Sequence, residues 1–239
     1  MRVRRSLCSR GTLQRSIPRV HARSGREMSE GIAVRQETPD DYRQTEWVVR
    51  EAFWDVYRPG CIEHLVLHKV RTSPSLLKSL ALVACDGERI VGALICPRAT
   101  IRNESGEEFT ALSMMVGVLP TYQRRGIGSM LIKRAIETAQ TLGLRGIVIF
   151  GDPAFYRRLG FRNASEFGIQ TADGENFEAF MALELSTDSL KGVQGRFFED
   201  PLFQPPADNS ELESFEKEFR DKNDARAAGP GKDGIAGSR

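Results

Sequence analysis

Residues 109–142 run from an apolar stretch, Phe109 to Val118, through a short loop, Leu119 to Arg125, past Gly126 and Gly128 and into a segment of helical periodicity ending at Leu142-Gly143. This succession constrains the fold more than any other feature of the chain. An apolar run without strict alternation suits a strand central in a sheet, covered on both faces. Ile127, Leu131, Ala135 and Ile136 then return at helical spacing, and Gly143 closes the helix. At a helix N-terminus the first backbone N–H groups have no partners and the dipole adds partial positive charge, so a pyrophosphate can lie there. Gly126 and Gly128 permit close approach of an anion to the backbone, and Arg124 and Arg125 add charge at the rim. The segment is not a Walker A loop, because no G-K-[ST] follows four residues after a first Gly. It is not a dinucleotide fingerprint either, since Leu131 stands where the third glycine is required. Read alone, the glycines also fit a loop that merely lets helix and strand pack.

The elements around this segment alternate. Ile32 to Gln36 reads as a strand, and Thr38-Pro39-Asp40-Asp41 starts a helix whose stripe of Trp47, Val48, Ala52, Phe53 and Val56 faces the core until Pro59-Gly60. Cys61 to Arg71 reads as a second short helix. Leu80 to Cys85 and Arg89 to Ile95 flank the turn Asp86-Gly87-Glu88 as a hairpin, the second strand running out at Pro97. After the central strand and helix come a strand over Gly146 to Phe150, a short helix over Pro153 to Leu159, a strand beginning at Phe161 and a last strand over Phe177 to Leu185. The order predicts an α/β (α+β) fold with a mixed sheet and helices on its faces.

Three regions follow from composition: an Arg- and Ser-rich extension over residues 1–27, a folded domain over about 30–200, and a polar tail over 205–239. The tail is expected to be largely disordered, but Ser210-Glu211-Leu212-Glu213 has capping-box form, and Leu212, Phe215 and Phe219 share a helical face, which reads as a short helix, either solvated and lying on its own domain, the preferred reading, or a partner-binding peptide. The extension carries eight of the chain's 34 basic residues and one of its 32 acids, leaving a net charge of −5 from Met28 onward. Nucleic acid is therefore a poor expected partner. No apolar run approaches the roughly 20 residues needed to cross a bilayer. Cys8, Cys61, Cys85 and Cys96 form no C-x-x-C pair, so neither a metal site nor a disulfide framework is expected. Residues 1–27 read either as a transit peptide, implying a mitochondrial location, or as an extension upstream of a start at Met28, implying a cytoplasmic one; the second is preferred.

Gln123-Arg124-Arg125-Gly126-Ile127-Gly128 fits the Q/R-x-x-G-x-G/A signature of the GCN5-related N-acetyltransferases (GNAT), and Phe155-Tyr156-Arg157-Arg158-Leu159-Gly160-Phe161 resembles a second family segment in order and spacing. Gly151-Asp152-Pro153-Ala154-Phe155-Tyr156 most resembles the YhbS-like group within it. The resemblance implies a mostly antiparallel sheet splayed between its fourth and fifth strands, with acetyl-CoA in the gap and no metal. It places Val116, Gly117 and Val118 on the strand that meets the thioester and pantetheine, and Gln123, Arg124, Arg125, Gly126, Ile127, Gly128 and Ser129 around the pyrophosphate. Tyr156 falls where many members hold the acid that protonates the departing CoA thiolate.

That chemistry needs a neutral amine, a donor for the carbonyl oxygen and a proton for sulfur. The base is not evident. Leu112 stands where some members carry a glutamate, and Glu63, Asp55 and Asp152 are the remaining candidates, Asp152 equally suited to capping a helix. For the acceptor, an amine of unassigned identity, the resemblance points to Phe53, Trp54, Tyr57, His64 and His68; the two histidines, without a third ligand, read as solvent-facing. The expected assembly is a monomer or homodimer. The rival reading is an acyl-CoA-binding module without acceptor chemistry.

Overall fold

The computed structural model describes residues 31–204 and 209–217. The Arg-rich extension, Phe219 and the end of the tail lie outside the described residues. β1 (Ile32–Gln36) is followed by α1 (Tyr42–Phe53), α2 (Glu63–Val70), β2 (Leu76–Asp86), β3 (Arg89–Arg102), β4 (Glu108–Leu112) and β5 (Met115–Val118). Then come α3 (Ile127–Thr141), β6 (Gly146–Phe150), α4 (Pro153–Tyr156), the two-residue strands β7 (Arg162–Asn163) and β8 (Ile169–Gln170), β9 (Phe180–Glu184) and β10 (Gly195–Phe198). Residues 210–217 are helical.

The sheet is mostly antiparallel. β3 is its spine, pairing β2 and then β10 along one edge, and β5 and then β4 along the other. β4 meets β6 in parallel at a single row, Leu112 with Ile147, and β9 and β7 continue outward from β6. Two glycines show how the helices lie on it. A Cβ at Gly92 would press on Leu131 and Ile127 of α3, whereas one at Gly117 would press on Ala52 and Phe53 of α1. Gly92 pairs with Val118, and Gly117 with Ala93, so the two glycines are on opposite faces. α3 and α1 therefore sandwich the sheet.

Several boundaries differ from the sequence reading. The run from Phe109 to Val118 is two strands, broken at Ser113-Met114, where the Ser113 amide donates to the Pro97 carbonyl. β3 does not stop at Pro97. Ser113 stands opposite Pro97 in the register shared by the rungs on either side, so Pro97 accepts from the Ser113 amide but has no N–H to return, and that missing ladder bond is where the partner strand breaks. α1 ends at Phe53, leaving Val56 exposed rather than facing the core. β9 is not the last strand: the loop after it returns along β3 as β10.

The expected tail helix lies on α1 and α2. Phe215 stacks against His64 and His68, with Arg43 over its ring; Glu216 meets Arg50, and Glu211 meets Lys69 at 2.8 Å. Beside it, Arg71 joins Glu37 and Glu46 at 2.7 Å each, all three nearly sealed from solvent. His64 is fully buried, not solvent-facing; its Nε2 lies 2.9 Å from Glu216, and burial pushes the imidazole down to about 4. His68 is the exposed one of the pair, its Nδ1 2.8 Å from Glu46.

Candidate active site

The β5 amides define the site. Leu119 N–H donates to the Val91 carbonyl at 2.9 Å, which orients Leu119, Gly117 and Met115 toward β3 by strand alternation. The N–H and C=O groups of Val116 and Val118 accordingly face away from β3. On that side β6 has already parted, since the strands meet only at Leu112 and Ile147. The result is a wedge-shaped cleft of about 1480 Å³ between β5 and β6, with a backbone edge that no strand pairs along one wall.

At one end of the cleft lies the glycine loop. Gln123, Arg124, Arg125, Gly126, Ile127, Gly128 and Ser129 all line it. Gln123 reaches back to donate to the Val118 carbonyl at 3.1 Å, tying loop to strand. Arg124 and Gly126 both have positive φ, 61° and 82°, so the backbone alternates in hand and gathers its N–H groups on the concave side. The first intrahelical bond of α3 comes from Met130 to the Gly126 carbonyl, so the N–H groups of Ile127, Gly128 and Ser129 have no partner within the helix. Gly128 is not a packing glycine: a Cβ there would find only ordinary contacts, Phe155 at 3.7 Å and Val118 at 3.9 Å. Lys133 and Arg158 also line the cleft. Sequence reading missed both; Lys133 lies one turn beyond Ser129 on the helix face that starts at the loop, a spacing that was available.

Tyr156 lies across the cleft from β5. Asp152 caps α4 by accepting from the Ala154 amide at 2.9 Å, and Pro153 opens the helix, which turns the Tyr156 ring back over Gly151. A Cβ at Gly151 would overlap that ring. Tyr156 is 8% exposed and meets Phe155 and Phe161 edge-on. Burial pushes its phenol well above the usual range, so it stays protonated and able to donate at neutral pH.

Some expected residues lie elsewhere. Gly117 does not line the cleft, because its backbone faces β3 and its α-carbon abuts α1. Phe53 and Tyr57 reach the far end of the cleft, but Trp54 turns away beneath the Arg50 guanidinium, 4.0 Å from its ring centre. Of the three carboxylates proposed from sequence, Asp55 accepts from the Gly60 amide in its own turn and does not reach the cleft. Glu63 and Asp152 line it. A third lining carboxylate, Glu199, follows β10 and was not foreseen. Among the described residues no cluster suited to a metal ion is found, and no helix is long and apolar enough to cross a membrane.

Residues 78–163 match the family model of the GNAT acetyltransferase domain. The uncharacterized N-acetyltransferase YhbS of Escherichia coli K12 is 26% identical over 166 residues, which cover 69% of this chain and 93% of that protein. Its crystal structure in complex with CoA superposes with a TM-score of 0.63 at 25% identity, covering 72% of this chain and 91% of the other. A GNAT-family acetyltransferase from Brucella melitensis in complex with acetyl-CoA matches at 26% identity and a TM-score of 0.59, covering 72% and 98%.

Proposed function

Because this chain is a YhbS-like N-acetyltransferase of the GNAT superfamily, we propose that it moves the acetyl group of acetyl-CoA to a primary amine by direct attack in a ternary complex. The observation that carries this reading is the β5 backbone edge that no strand pairs, which runs along an open cleft to the glycine loop. Acetyl-CoA bound in relatives of the same fold supports placing it here. The Val116 N–H is aimed at the thioester oxygen, where it would stabilise the negative charge that develops on attack. Val118 offers its backbone to the pantetheine amides. The loop amides from Arg124 to Ser129 receive the pyrophosphate, with Arg124, Arg125, Lys133 and Arg158 answering the charge of the phosphates. Tyr156 gives its proton to the sulfur as the C–S bond breaks. The catalytic domain in this reading is about residues 30–200, and residues 205–239 are an appendage to it.

Tyr156→Phe tests the assignment. Turnover falls about 100-fold while acetyl-CoA affinity stays within twofold, as expected for an acid acting late in the reaction. Unchanged turnover would remove Tyr156 from the mechanism. A wild-type protein that binds acetyl-CoA yet transfers to no amine would favour the acyl-CoA-binding module, the reading to which Leu112 lends weight.

A further inference from the structure

Three carboxylates line the cleft, and two are already engaged by the fold. Glu63 accepts from the Ile62 amide at 3.0 Å and from the Cys61 thiol at 3.2 Å, and Asp152 caps α4. Glu199 has no hydrogen bond or ion pair among the described residues, although it is partly buried. Its position is nonetheless fixed. The next residue, Asp200, accepts from the Ser73 hydroxyl at 2.6 Å and from the Ser75 hydroxyl, and caps the turn over Pro201–Phe203, which packs on α2. A carboxylate held in place, partly desolvated and left without a protein partner is arranged for a ligand that brings the positive charge. Apart from the glycine loop, the same cleft is lined by apolar and aromatic side chains that include Phe53, Tyr57, Met114, Phe150 and Phe203.

We propose that Glu199 receives the ammonium group of the acceptor and acts as the base of the reaction, the acceptor being a primary amine on an apolar or aromatic body. The proposal rests on the acetyl-transfer reading above. The ammonium gives one proton to the Glu199 carboxylate, which passes it to bulk water. The free amine attacks the thioester carbon, forming the C–N bond. As the C–S bond breaks, Tyr156 donates its proton to sulfur, and the second proton leaving nitrogen restores the phenol. One acetyl-CoA and one ammonium thus become one amide, one CoA thiol and one released proton.

The environment suits this role. Burial pushes the Glu199 carboxyl up to about 7. The other titratable and charged groups lining the same cleft are Tyr57 and Glu63 on the α1–α2 side, Asp152, Tyr156 and Arg158 on the α4 side, and Tyr122, Arg124, Arg125 and Lys133 about the glycine loop; Asp200 adjoins Glu199 in the chain and is held by its serines. Below about 7 the carboxyl is protonated and cannot accept a proton, so the rate should fall on the acid side.

The test follows thiol release from acetyl-CoA with 2-phenylethylamine as acceptor between pH 5.5 and 9, with ethanolamine as the polar comparison, for wild type and Glu199→Gln. Acetyl-CoA affinity is measured separately by calorimetry. The expected result is a wild-type kcat/KM for 2-phenylethylamine that rises through about pH 7 and exceeds that for ethanolamine. In Glu199→Gln it should be 100- to 10,000-fold lower without that acid limb, at unchanged acetyl-CoA affinity. A variant that keeps rate and pH profile would overturn the role of Glu199. Wild-type transfer to neither amine, or a preference for ethanolamine, in a protein that binds acetyl-CoA would overturn the acceptor class. Absence of acetyl-CoA binding by the wild type would instead sink the acetyl-transfer reading itself. Should the variant fail to fold, carbon-13 NMR of wild type labelled at the glutamate carboxyls decides: a titration near 7 supports the proposal, and none above pH 5 refutes it.

Discussion

Gly151 and Tyr156 are a single feature at the residue scale, because the ring occupies the space a side chain at 151 would need. Gly151→Ala should displace the ring, costing about 1–3 kcal/mol of stability and lowering turnover although no reacting group is altered; thermal melts and initial rates check both. Glu199 makes a prediction of opposite sign. Its folded pKa is raised from 4.5 to about 7, so the folded state binds the extra proton, and stability drains away as pH rises between those values. Glu199→Gln removes that dependence: its Tm relative to wild type should be higher at pH 8 than at pH 4.5. Of these residues, Tyr156 and the glycine loop were legible in the sequence because their chemistry is local to a short segment. Glu199 was not. It stands in an unremarkable Phe-Phe-Glu-Asp stretch, and only the return of β10 along β3 carries it to the cleft that Leu112 leaves without a base.

Between elements, the contacts least visible in sequence are the charged ones. Arg71 closes α2 and reaches both Glu37 after β1 and Glu46 within α1, while its guanidinium lies 4.0 Å from the centre of the Tyr42 ring. Arg71→Ala leaves the buried Glu37 carboxylate without its cation and Glu46 with only Arg43 and His68, and should cost about 3 kcal/mol by denaturant titration. The tail helix is anchored by Phe215 over His64, so that the imidazole remains neutral near pH 6. Phe215→Ala should admit water and return the His64 titration toward 6.5, read from the imidazole proton shifts. The periodicity of Leu212 and Phe215 was enough to suggest a short helix, either on its own domain or for a separate partner; its contacts on α1 and α2 were not foreseeable, since they depend on long-range packing. The split of the central strand escaped for a related reason: an apolar run reads as continuous, and its break is set across the ladder by Pro97, which accepts from the Ser113 amide but has no N–H to return.

Across the whole molecule, function follows from a sheet that does not close. β3 holds β5 in one half and β4 in the other, and β6 joins only the second, so an edge of backbone donors is left facing a cleft. The residues from Met28 onward are net acidic, yet Arg124, Arg125, Lys133 and Arg158 all line the cleft, a local positive field that the overall charge conceals. The most direct test of the account is calorimetric titration of acetyl-CoA into the full chain and into Gly128→Asp. The protein has room for a side chain at 128, and a carboxylate at a helix N-terminus favours the helix, so the variant should melt no lower than wild type. Wild type should bind at micromolar concentrations or tighter, and the variant at least 100-fold more weakly, because the new charge meets the pyrophosphate. Equal affinity in the two proteins, or no binding by either, would contradict a cofactor seated on the glycine loop.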